Sequence, residues 1–156
     1  KAKPTLAGRK IGVLLSDGFE MALLEQLQAS AEAEGAVLQV IGPTIGKVKS
    51  SGKETVTPDH AIAAAPSVLF DTVAVAVCEP DIEALKRQAA ALNFLRDAYA
   101  HLKFIGFTAA SMPLLDAAGI AVDDAVIEMD RRADAAAYVE AAKAGRFWPR
   151  AAVVKA

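Results

Sequence analysis

Cysteine, histidine and one-sided charge are all scarce in this sequence, and each scarcity removes a class of function. A single cysteine, Cys78, excludes an internal disulfide and gives no sign of an oxidising compartment. The two histidines, His60 and His101, have no thiols or carboxylates at ligand spacing around them, so no metal site is predicted. His60 is read in a turn, and His101 at a helix end, where a cation suits the dipole. A formal charge of −2 with the signs interspersed leaves no basic footprint, so neither nucleic acid nor membrane is expected as a partner. No apolar run is long enough to cross a bilayer or to form a signal peptide, which predicts a soluble, cytoplasmic protein.

What is present is apolar: 54% of 156 residues are hydrophobic, enough to fill the core of one domain. The start, "KAKPTLAGR" over residues 1–9, is basic, lacks an initiator methionine and contains Pro4 and Gly8. That composition predicts a linker and, with it, a domain excised from a longer protein. The domain is expected over residues 10–150 and a tail over 151–156.

The hydrophobic pattern alternates between strand-like and helix-like segments. Apolar runs at 10–16, 36–42, 72–77, 104–107 and 125–129 read as buried parallel strands. Between them, 19–35 places Leu23, Leu24, Leu27 and Ala31 on one helical face and stops at Gly35. Val48 and Lys49, then Thr55 and Val56, flank "SSGK" as a small exposed hairpin, and "AIAAAPSVLFD" reads as a helical turn broken by Pro66. A long helix is predicted over 81–102, with Ile82, Leu85, Ala89, Leu92, Leu95, Tyr99 and Leu102 as its stripe. Asp81 and Glu83 lie near its positive end, and His101 and Lys103 near its negative end. Further helices open on Ser111 and run over 133–145. The alternation predicts an α/β fold, a flavodoxin-like three-layer α/β/α sandwich with a mainly parallel central sheet and an inserted hairpin.

In such a sheet ligands gather at the carboxyl ends of the strands. The loop "SDGFE" offers only Ser16 beside Asp17 and Glu20, whose charges repel a flavin phosphate. The acids and lysine of a receiver domain are also missing. After the third long strand, Cys78 in "CEPD" is a weak candidate thiol; Glu79 opposes its ionisation, and a small half-buried hydrophobe is the blander reading. The turn in "FIGFTAAS" is shaped like a nucleophile's elbow but carries Ala109 and Ala110. Trp148, in "RFWPR", reads equally as an exposed partner anchor or as a tail folded over the core.

The stretch "KETVTPDHAIAAAPSVLFDTVAV", with "RKIGVLLSDGFE", "FIGFTAASMPLLDAAGI" and "YVEAAKAGRFWPR", resembles the C-terminal domain of large-subunit (clade 2) haem catalases over residues 9–150. That domain is in turn similar to the class I glutamine amidotransferase-like superfamily, which includes intracellular proteases and deglycases. Active members use an elbow cysteine, a first-helix glutamate and a glycine turn that donates oxyanion amides. Laid against that pattern, the cysteine falls on Ala109 and its neighbour on Ala110, the glutamate on Leu23, and the glycine pair on Val77 and Cys78. Every station is vacant, which leaves Ala109 and Ala110 expected as packing residues at a tight turn.

The resemblance implies a non-catalytic domain without a cofactor of its own, attached to a haem-containing core that dismutates hydrogen peroxide. Its partners would be that core and its oligomer, together with unfolding client proteins protected in a chaperone-like way. Two other readings stay open: a small hydrolase or deglycase using Cys78, and a module binding a ligand in the vacated pocket.

Overall fold

Residues 11–15 and 73–76 are apolar at successive positions, so neither segment has a polar face to turn to water. In the computed structural model, which describes residues 4–155, they are the adjacent central strands of the sheet. Residues 1–3 of the expected linker and residue 156 of the expected tail lie outside the described residues.

In chain order the strands are β1 (Lys10–Leu15), β2 (Val37–Gly42), β3 (Val48–Lys49), β4 (Thr55–Val56), β5 (His60–Ala61), β6 (Thr72–Ala76), β7 (Ile105–Phe107) and β8 (Val126–Glu128). Six of them form one sheet in the order β5-β2-β1-β6-β7-β8, all neighbours parallel; β3 and β4 make a separate antiparallel hairpin. The helices are α1 (Met21–Ala33), α2 (Asp81–Leu85), α3 (Ala89–Ala100), α4 (Met112–Ala118), α5 (Arg132–Ala142) and the short α6 (Ala151–Val154). This is the predicted α/β sandwich.

Side chains alternate across the sheet, so each strand supplies two cores. Ile11, Val13 and Leu15 face α1 and α5, where they meet Leu23, Leu27, Tyr138 and Val139. Leu14, Val73 and Val75 face the other layer and meet Ile82, Phe94 and Leu114. From β1 the chain winds outward to β2 and then returns to β6, so the loops after β1 and β6 part on opposite sides. The crevice that results is the topological switch point, and it positions the site.

Two expectations need correction. The helix predicted over 81–102 is two helices, because Gln88 is extended (φ −101°, ψ 113°). At about 100° per residue, a continuous helix would set Ile82 opposite Ala91 and Leu85 opposite Phe94. All four are buried in the same core, and only a break lets both segments face the sheet. The buried stripe of α3 is therefore Ala91, Phe94, Leu95 and Ala98, with Ala89 exposed and Leu92 and Tyr99 half-buried. Leu102, expected on that stripe, follows the helix in a left-handed conformation (φ 64°). His60 lies in β5 rather than in a turn, opposite Ile41 of β2, with Nε2 at 3.1 Å from Gln39 Oε1.

The turn "APSVLFD" is held from two directions. Phe70 lays its ring on β1 where Gly12 has no side chain; a Cβ there would lie 2.7 Å from Phe70 Cγ. Lys103, expected near the negative end of a helix, is buried, and its Nζ donates to the carbonyls of Ser67 (2.9 Å) and Phe70 (2.8 Å). Burial, and then the charge of Arg146, lower its pKa. Within the segment expected as a linker, Leu6 is buried in the α1/α5 core, and the Gly8 amide donates to Gly35 O. No helix of the described residues is long and apolar enough to cross a membrane.

Candidate functional site

Three strand ends meet at the switch point, and backbone amides after β6 and β7 are already taken by side-chain oxygens. After β1, Ser16 is fully buried and its Oγ accepts from the Cys78 amide at 2.8 Å. After β6, the Val77 amide donates to Ser111 Oγ at 2.9 Å. After β7, the Ala109 amide donates to Asp130 Oδ1 at 2.9 Å. Ser111 ends a 3-10 turn and α4 opens on it as expected, but its hydroxyl reaches back to β6 and to Thr108 Oγ1 at 2.8 Å rather than capping α4.

Cys78 is half-buried. Its thiol donates to the Asp17 carbonyl at 3.0 Å and lies 3.9 Å from Ser16 Oγ. Gly18 packs against it with φ +96°, and a Cβ there would meet the sulfur at 2.9 Å. Asp17 faces away from the thiol, with its Oδ1 accepting from the Lys49 amide at 2.8 Å. The hairpin is clamped to this loop rather than left free: Gly18 N donates to Lys49 O, Ser51 N donates to Phe19 O, and Val48 is buried.

A pocket of about 150 Å3 opens between these loops, lined by Gly18, Leu23, Val77, Cys78, Ala110 and Asp130 among others. The structure thus brings together four of the five residues singled out in the sequence. Ala109 lies beside the pocket and not in its wall. Neither alanine is a packing residue: both are exposed, and it is Ser111 that is buried beneath the turn. Leu23, buried at the first-helix position, makes the wall apolar, while Glu20 and Asp130 make the rim acidic. Hydrogen bonding to Asp130, and then its charge, hold the Glu128 carboxyl above its usual range.

Asp130 is the residue the sequence reading missed. It stands just beyond β8, so the rule applied to the other strand ends reaches it too. The chain's other missed feature is Arg150 at the opposite end of the sheet, fully buried and paired with Asp123 at 2.8 Å. The tail around Trp148 folds onto the domain through Phe147, which packs edge-on against Phe104, while the Trp148 side chain itself is 69% exposed.

Neither tyrosine is presented as a haem ligand. Tyr138 is buried, donates to Val73 O at 2.9 Å, and has its phenol pushed up by burial, which disfavours a phenolate ligand. The Tyr99 ring lies 4.3 Å beneath the Arg150 guanidinium. No group of three potential metal ligands occurs among the described residues.

Known proteins resemble this chain at two levels. It is 37% identical over 150 residues to "Catalase C" of Rhizobium meliloti (strain 1021), which covers 95% of this chain and 21% of that protein. It is 29% identical to "Catalase HPII" of Pseudomonas putida, covering 97% of this chain and again 21% of that protein. The chain therefore spans about a fifth of the length of these relatives. Among solved structures, DJ-1beta of Drosophila melanogaster superposes with a TM-score of 0.73 at 16% identity, covering 94% of this chain and 95% of that one. A THiJ/PfpI family protein from Pseudomonas syringae gives 0.70 at 15% identity, covering 99% and 76%. These two share the fold. The model of the C-terminal domain found in long catalases matches residues 7–152, nearly the whole chain, and the chain belongs to that family.

Proposed function

We propose that this chain is a non-catalytic domain of a long catalase, in which a haem core elsewhere in the polypeptide dismutates hydrogen peroxide in the cytoplasm and this domain supports the oligomer. The observation that carries the reading is the engagement of the Cys78, Val77 and Ala109 amides by Ser16, Ser111 and Asp130. Acyl chemistry needs free donors aimed at a developing oxyanion. Here those donors are spent on side-chain oxygens, and an acidic rim stands where negative charge would grow. The Cys78 thiol, bonded to a carbonyl oxygen and not to a base, lacks an activating partner for the hydrolase alternative.

The full-length protein tests this when compared with a version ending before residue 1. Peroxide turnover per haem should be retained, while the subunits dissociate at lower denaturant concentration. Loss of turnover per haem with an unchanged oligomer would overturn the proposal. A holding function for unfolding clients belongs to the same reading, supported by exposed apolar side chains such as Ile45, Val68 and Val122. Heat aggregation of several unrelated proteins, unslowed by a molar excess of the full-length protein relative to the truncated one, would remove it.

A further inference from the structure

A second cleft, of about 390 Å3, lies at the amino ends of the strands, opposite the vacated pocket. Pro4, Leu6, Arg9, Asp71, Arg146 and Trp148 are among the residues that line it. Its cations are not equivalent. Arg9 is paired with Asp71 at 3.3 Å, and Lys143 with Glu34 and Glu140. Arg146 is exposed and has no ion-pair partner among the described residues.

Trp148 stands beside it, 69% exposed yet rigidly mounted. On one side Phe147 is fixed against Phe104, and its amide donates to Leu102 O at 2.7 Å; on the other, Arg150 is locked into the fold. A tryptophan and an arginine presented on a firm base have the composition of an interface hot spot.

Covalent connectivity says what arrives there. The family stands at the C-terminal end of long catalases, and this chain spans 21% of such a relative, so on that reading a much longer polypeptide precedes it. That polypeptide enters through Pro4, which is itself part of the cleft wall. A tether of this kind holds the preceding part at high effective concentration over the cleft. We infer that this cleft is the face by which the domain docks on the polypeptide that precedes it, an acidic side chain there meeting Arg146 and an apolar one covering Trp148. This inference rests on the reading of the chain as a domain of a long catalase.

The experiment uses the full-length protein with a benzophenone amino acid in place of Trp148, irradiated and mapped by peptide mass spectrometry. Cross-links should fall on residues that precede this domain, in the same subunit or a neighbouring one. Cross-links confined to another copy of this domain, or no cross-linked peptide at all, overturn the inference. In parallel, Trp148→Ala combined with Arg146→Glu should speed proteolytic release of the domain roughly tenfold or more, since cleavage follows the undocked population. An unchanged rate counts against docking. Both side chains are exposed, so the folding of the variant is not at stake. Haem content and peroxide consumption of the same preparation separate the two failures. Without haem or activity the parent reading falls and docking with it; an active, haem-loaded protein without the cross-link overturns docking alone.

Discussion

Arg150 and Asp123 face each other through two parallel hydrogen bonds, Nε to Oδ2 at 2.8 Å and Nη2 to Oδ1 at 3.1 Å. The same guanidinium donates through Nη1 to the carbonyls of Tyr99 (3.2 Å) and Lys103 (2.8 Å). One side chain thereby ties the C-terminal tail to the end of α3, to the start of β7 and to the loop before β8.

Arg150→Met should destabilise the domain by about 3 kcal/mol, because Asp123 loses its partner and two carbonyls lose a donor. Arg150→Lys should recover little, since an ammonium cannot match the two-pronged contact. Urea unfolding of the variants checks both. A loss under 1 kcal/mol for Arg150→Met, by the usual size of an exposed pair of about 0–1 kcal/mol, would show that the contact behaves as a surface bridge.

Gly12→Ala should cost about 2 kcal/mol, because the added methyl meets the face of the Phe70 ring at 2.7 Å in a packed core. Adding Phe70→Leu should return part of that loss. If the double variant is less stable than the two single losses together predict, the clash is not the cause.

Ala110→Cys puts a thiol in the wall of the vacated pocket but should give no ester hydrolysis. The neighbouring amides remain engaged, and Leu23 offers no carboxylate to handle a proton. Iodoacetamide labelling measures the thiol and a p-nitrophenyl ester measures turnover. Turnover above the level of the unmodified protein, abolished by labelling, would mean that the pocket retains its oxyanion donors.

The strands and the three layers were legible because unbroken apolar runs leave few other places for them. The break before α3 was not. Ala89, Ala90 and Ala91 are small and apolar in succession, so a stripe can be drawn through any of them, and only packing chooses Ala91. At the site, the vacancies at Leu23, Ala109 and Ala110 could be read from side-chain type alone. The capping of the Ala109 amide by Asp130, 21 residues away, could not, because it depends on where β7 and β8 end relative to one another. Arg150 gave no signal at all, since an arginine in a polar tail ordinarily points to water.

The Glu128 and Asp130 pair makes a pH prediction. A carboxyl whose folded pKa lies above the unfolded value of 4.5 binds protons more readily in the folded state, so stability falls as pH rises from there through the folded value. Glu128→Gln should therefore raise the melting temperature at neutral pH, and the gap should close as the pH drops below 4.5. A gap that does not vary with pH would assign the effect to something other than this repulsion.

The sheet is bounded by β5, two residues long, and β8, three residues long, and beside β5 the Asp59 carboxylate takes the Val40 amide of β2 at 2.8 Å. Neither of these outermost strands offers a length of free backbone on which another strand could register. Association of this domain with anything else is thereby left to side chains on helices and turns, where single substitutions can tune or abolish it, and joining by strand addition is discouraged at both borders.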